Sequence, residues 1–167
     1  KAMRVPPDDP ESLKSPLARS VSKGYKLEIF VPGIPKAQPR PRASRRGRFI
    51  HVYNPSSAKG WKDQVAWAAK PFAPKSPLEG PIDLKIVFYL PRPKKMKSVF
   101  AVPHAVKPDL DNLVKSTMDA LSSVGIWRDD CQVWTLQANK RYAAKNWRPG
   151  AYILIERSEK EEEEEAK

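Results

Sequence analysis

Apolar residues recur with period two at Tyr25, Leu27, Ile29 and Val31, separated by Lys26, Glu28 and Phe30, which predicts a half-buried strand. The same alternation is cleaner at Ile82, Leu84, Ile86, Phe88 and Leu90, where Pro91 and Pro93 end the strand. Shorter strands are predicted at Phe49 to Tyr53, Gln132 to Tyr142 and Tyr152 to Glu156. Helical spacing appears at Ala58, Trp61, Val65, Ala68 and Phe72. That helix opens at Asn54-Pro55-Ser56-Ser57, with Asn54 as the cap and Pro55 tolerated in the first turn, and runs to about Lys70. Pro71 and Pro74 stop it. A second helix runs from about Asp109 to Ser123, closed by Gly125. The order ββαβαββ predicts an α+β fold: a single small domain, with a mixed β-sheet and two main helices packed on it.

Composition bounds this picture. A chain of 167 residues suits one domain, and 40% apolar residues suffice for a core, which excludes a wholly disordered chain. Residues 1–24 carry Pro6, Pro7, Pro10 and Pro16 without apolar periodicity and are expected to form a flexible arm. The domain is expected over 25–156, and an acidic tail over 157–167. The single cysteine, Cys131, excludes a disulfide scaffold and fits a reducing compartment; it reads as a strand residue rather than a nucleophile. No run of about 18 apolar residues exists, so no membrane span is expected. The first 22 residues hold no apolar signal region, which points to a cytoplasmic rather than a secreted location.

Charge changes the picture more. The net charge is +12, yet seven glutamates lie between Glu156 and Lys167 against three cations. From Tyr25 to Ile155 the chain holds 23 basic and nine acidic residues. Such an excess is self-repelling unless a polyanion offsets it, which points to nucleic acid. Five of those nine acids, Asp109, Asp111, Asp119, Asp129 and Asp130, fall in a window with only Lys115 and Arg128 as cations. An acidic island in a basic body suits phosphodiester chemistry: cations hold phosphates, while carboxylates hold a divalent cation beside one of them. The basic groups concentrate in Ile34 to Arg48, where Lys36, Arg40, Arg42, Arg45, Arg46 and Arg48 stand without an acid. Pro35, Pro39 and Pro41 are expected to keep that loop extended and stiff, presenting the arginines to DNA. A second basic connection is Arg92-Pro93-Lys94-Lys95-Met96-Lys97.

Each acidic motif has a plainer reading. Asp109 and Asp111 also suit a helix cap, with Lys115 as the i,i+4 partner of Asp111. Asp129-Asp130 also suits a turn. A 15-residue helix spans roughly 22 Å, so Asp130 meets the first pair only if the chain returns beside the helix. The sequence leaves that open. His51 and His104 are isolated, there is no Cys-x-x-Cys, and the seven glycines are scattered; zinc sites and a phosphate-cradling glycine loop are thereby disfavoured, and no organic cofactor is expected. Trp61, Trp67, Trp127 and Trp134 are expected in the core, with Trp147 left open.

Several segments taken together resemble the RusA family of Holliday junction resolvases, which occur in bacteria and their phages and prophages. They are Pro32-Gly33-Ile34-Pro35-Lys36-Ala37-Gln38-Pro39-Arg40-Pro41-Arg42, Lys107-Pro108-Asp109-Leu110-Asp111-Asn112-Leu113-Val114-Lys115, Met118-Asp119-Ala120-Leu121 and Trp127-Arg128-Asp129-Asp130-Cys131-Gln132-Val133. The likeness spans about Tyr25 to Glu156. It implies an intertwined or closely packed homodimer that is a Mg²⁺-dependent endonuclease, with Mn²⁺ as a substitute, nicking four-way DNA junctions symmetrically. It implies Asp109, Asp111 and Asp130 as metal ligands and Lys115 as the essential cation. It assigns Asp129 no ligand role. Two other readings of the charge pattern remain: a non-catalytic DNA-binding protein whose acids only cap a helix, and a nuclease of flaps or general branched DNA.

Overall fold

The computed structural model describes residues 25–39, 42–46, 49–53 and 58–157. The arm, the acidic tail beyond Arg157, the Asn54 cap, Arg40 and Arg48 lie outside the described residues. Among the described residues, seven strands and two α-helices follow one another: β1 (Lys26–Pro32), β2 (Arg42–Arg46), β3 (Phe49–Tyr53), α1 (Lys59–Ala69), β4 (Ile82–Leu90), β5 (Val102–Pro103), α2 (Leu110–Ser123), β6 (Val133–Tyr142) and β7 (Gly150–Arg157). A mixed sheet has the order β1-β7-β4-β6-β5, in which β4 and β6 run parallel and every other pair antiparallel. The parallel pair needs a crossover, and α2 lies within it.

The period-two residues do what their pattern predicts. Leu27, Ile29 and Val31 of β1, Ile82, Leu84, Ile86, Phe88 and Leu90 of β4, and Ala151, Ile153 and Ile155 of β7 are buried. They meet Trp61, Val65 and Ala69 of α1 and Leu113, Val114, Ala120 and Leu121 of α2 in one core. The two helices are pinned together by Trp61 Nε1, which donates to Thr117 Oγ1 at 3.2 Å, and by the Lys62–Asp119 ion pair at 2.7 Å.

The structure corrects four expectations. Arg42–Arg46 is not loop but strand β2, paired with β3 as a separate hairpin; the prolines end at Pro41, so nothing after it denies the ladder an N–H donor. The two-residue β5 was not predicted, being too short for a periodic signal. Trp67 and Trp134 are 82% and 67% exposed rather than in the core, because Trp67 stands off the buried stripe of α1 and β6 has no fully buried position. Cys131 sits, exposed, in the 3₁₀ turn Asp130–Gln132 just before β6, and not in the strand.

Close packing at the start of β7 gives a first prediction. A Cβ on Gly150 falls 2.5 Å from both the Phe30 ring and the Val31 carbonyl oxygen, and the latter is backbone that cannot swing aside. Gly150→Ala is therefore expected to destabilise the fold by about 1–3 kcal/mol, read as a lower urea midpoint at unchanged slope.

Candidate active site

Asp109 stands at the N-cap position of α2 in extended conformation, φ −70° and ψ 141°, after a cis Lys107–Pro108 bond. Its side chain makes no capping hydrogen bond. That is unusual for an aspartate in this position, where a carboxylate normally accepts from the exposed N–H groups of the first turn. Asp111 lies in the first turn and is exposed; the neighbouring Asn112 amide donates to its Oδ1 at 3.3 Å. Two carboxylates thus share the positive end of the helix without being consumed by it. An open cleft of about 600 Å³, lined by Ala37, Lys107, Pro108, Asp109 and Asn112, lies beside them.

The chain between β1 and β2 is docked on this same end of α2. Ser116 Oγ donates to the Lys36 carbonyl at 2.7 Å, and the Gln38 amide donates to the Asn112 carbonyl at 2.8 Å. Upstream, Gly33 adopts φ 129°, a region that favours glycine. A Cβ there would also strike the Gln64 side chain. The last docked residue, Gln38, stands four positions before β2, the strand that carries Arg42, Arg45 and Arg46.

Lys115 is 64% exposed, and its ammonium lies 3.9 Å from Asp119 Oδ1, one turn further along, rather than paired to Asp111. Asp119 is already held more closely by Lys62, so Lys115 keeps most of its freedom. The plainer reading of Asp111 and Lys115 as an i,i+4 ion pair therefore has no support among the described residues.

Asp130 lies elsewhere. Its Oδ1 accepts from Trp127 Nε1 at 2.9 Å and from Ser122 Oγ. Ser122 is in the last turn of α2, eleven residues beyond Asp111, or about 16 Å along the axis. The chain does not fold back to bring Asp130 to the first pair, and no group of three His, Cys, Asp or Glu among the described residues could hold a metal ion. Asp109 and Asp111 suit a hard cation as two oxygen donors, but one chain does not supply the three carboxylates expected from the sequence. Asp129 is used structurally: its carboxylate accepts from the Cys131 amide at 2.8 Å, and the Gln132 side chain accepts from the Asp129 amide in return. The Cys131 amide holds the Asp129 carboxyl below the usual carboxylate range.

The second basic connection is divided in role. The Arg92 guanidinium turns inward onto the carbonyls of Ala143, Met96 and Ser98, which folds the loop; Lys94, Lys95 and Lys97 remain exposed. Sequence reasoning missed Lys140 of β6. Its ammonium donates to the Val106 carbonyl, and to the Pro108 carbonyl at 2.6 Å, just before Asp109. A lone lysine in a strand carries no motif that could have signalled this.

The mixed-sheet domain thus presents an Asp-x-Asp at the start of α2, with the chain that leads to the basic strand β2 docked on the same helix. The family model described as Endodeoxyribonuclease RusA matches residues 32–156. The chain belongs to the RusA endodeoxyribonuclease family, as its motifs suggested. It is also similar to the uncharacterised protein YqaN of Bacillus subtilis (strain 168), with 36% identity over 138 residues, 77% of this chain and 94% of the relative.

Proposed function

We propose that this protein is a divalent-cation-dependent endonuclease that resolves four-way DNA junctions by paired symmetric nicks, and that it works as a homodimer. The observation that carries this reading is the N-cap aspartate whose carboxylate does not cap, next to Asp111 and on an open cleft whose wall includes the segment docked through Lys36 and Gln38. A non-catalytic protein using these acids as caps would have no reason to leave Asp109 unengaged.

The distance to Asp130 supports the dimer. α2 is 14 residues, about 21 Å, with Asp109 and Asp111 at one end and Asp130 at the other. A second copy whose α2 runs antiparallel to the first brings its Asp130 to the first chain's Asp109 and Asp111, and the two-fold axis creates the second site automatically. The surface beside α2 suits such a contact. Trp134 and Leu136, on the sheet face that carries the helices, are 67% and 50% exposed, and among the described residues no strand pairs with the outer edge of β6 before Arg141. The second copy is the occupant proposed for this strip.

Mg²⁺ or Mn²⁺ bound by these carboxylates would supply a Lewis acid at the scissile phosphate and a water of lowered pKa. The chain's own residues do the rest. Arg42, Arg45, Arg46 and Lys36 hold the backbone of the DNA arm at the cleft. Lys115, exposed and only loosely paired, reaches the phosphate and stabilises the negative charge that develops on its oxygens. Ser122 and Trp127 fix the orientation of Asp130. Ser122→Ala is expected to raise the Mg²⁺ concentration for half-maximal cleavage about 10-fold, as loss of a hydrogen-bonded support of a ligand does, with the thermal midpoint nearly unchanged. Titration of cleavage rate against Mg²⁺ checks it.

The test of substrate class compares a four-way junction, a flap and a linear duplex of equal length. Preferential cutting of the junction is expected; equal cutting of the flap would replace this reading with a general branched-DNA nuclease.

A further inference from the structure

We infer that Lys140 is a positioning residue for the aspartates at the start of α2, an inference that rests on the proposed role of Asp109 and Asp111. β5 pairs with β6 only through Val102–Tyr142 and Pro103–Arg141. Beyond that the strand ladder stops, yet the next residues must still be led across the end of β6 to α2. Lys140 takes over. Its backbone carbonyl accepts from the His104 amide at 3.1 Å. Its ammonium then donates to the Val106 carbonyl and to the Pro108 carbonyl. One residue thus holds His104, Val106 and Pro108, alternate positions of the segment that delivers Asp109.

The Pro108 carbonyl belongs to the peptide unit that sets the backbone of Asp109. Fixing that plane with a charge-assisted hydrogen bond fixes the direction in which the aspartate leaves the chain. A displacement of about 1 Å there costs heavily in a metal-dependent site. Lysine suits this position because its long stem spans from the sheet to the loop and its several N–H groups serve two acceptors.

Around it, His104 is 8% exposed and its ring packs on Tyr142 with centroids 4.4 Å apart. This packing seats the segment against β6, while Lys140 supplies its polar attachment.

The test uses the full chain with three variants. Lys140→Met keeps the stem and removes the donors, Lys140→Arg keeps charge and donors, and Lys140→Gln is a milder fallback if the methionine variant does not fold. Amide hydrogen exchange over residues 104–112 should be about 10-fold or more faster in Lys140→Met, restored in Lys140→Arg, and unchanged in β4 and β7. Single-turnover junction cleavage should fall about 10- to 100-fold, while junction affinity measured in Ca²⁺ stays within twofold. Unchanged exchange over 104–112 in Lys140→Met, or in Lys140→Gln if that is the folded variant, would overturn the inference. So would a loss of cleavage matched by an equal loss of affinity, because Lys140 would then be a DNA contact. Failure of the wild-type chain to cut any junction would instead sink the functional reading, leaving the exchange result to judge the anchoring.

Discussion

Asp111→Asn should bind a four-way junction as well as the wild type and fail to cut it. The substitution is nearly isosteric and removes only the negative charge. The carboxylate is exposed in the first turn of α2, so neither the core nor the hairpin depends on it. The fold and the thermal midpoint are therefore expected to stay put. DNA affinity should hold or rise slightly, since one repulsive charge beside the backbone is gone. Cleavage should fall by at least the roughly 10²–10³-fold that removal of one electrostatic stabiliser costs. Gel-shift titration in Ca²⁺ and single-turnover cleavage in Mg²⁺ separate the two effects. A variant that cuts at the wild-type rate would remove Asp111 from the chemistry.

The second large effect concerns two inactive chains. Asp111→Asn and Asp130→Asn should each be inactive alone, yet equal amounts mixed and allowed to exchange should recover cutting. If each site takes its first two carboxylates from one copy and the third from the other, a mixed dimer holds one site broken twice and one site intact. Random pairing makes about half the dimers mixed, so roughly a quarter of wild-type sites return. The recovered cuts should be single nicks rather than pairs, because the mixed dimer has one working site. If all three carboxylates met within one chain, every mixed dimer would be as dead as its parents. The 14-residue length of α2 and the hydrogen bonds of Asp130 to Trp127 and Ser122 favour the first outcome.

Much of this architecture was legible in the sequence because burial imposes periodicity. The alternation in β1 and β4 and the helix stops at Pro71 and Gly125 reflect local rules that the tertiary structure obeys. Where the sequence misled, a non-local cause can be named. Arg42–Arg46 lacks apolar alternation, so only its pairing with β3 reveals it as a strand. Large aromatics usually lie inside, yet Trp67 faces away from the buried stripe of α1 and Trp134 lies in β6, which has no fully buried position. The chemistry divides similarly. The residue types and spacing at Asp109, Asp111 and Lys115 could be read directly, but whether Asp109 caps its helix could not, since that depends on the direction of one side chain. The separation of Asp130 followed from helix length as one of two outcomes, and only the folded chain shows which. Lys140 was invisible, because its role is to reach two carbonyls more than thirty residues earlier in the chain.

On the proposed function, this chain is a metal-dependent nuclease of four-way DNA junctions. The most direct test incubates the wild-type protein with a synthetic four-way junction, each strand labelled in turn, with and without Mg²⁺. Nicks at symmetry-related positions on two opposite strands, absent when the cation is withheld, are the predicted result. Tight binding with no strand cut in Mg²⁺ or Mn²⁺ would contradict that claim.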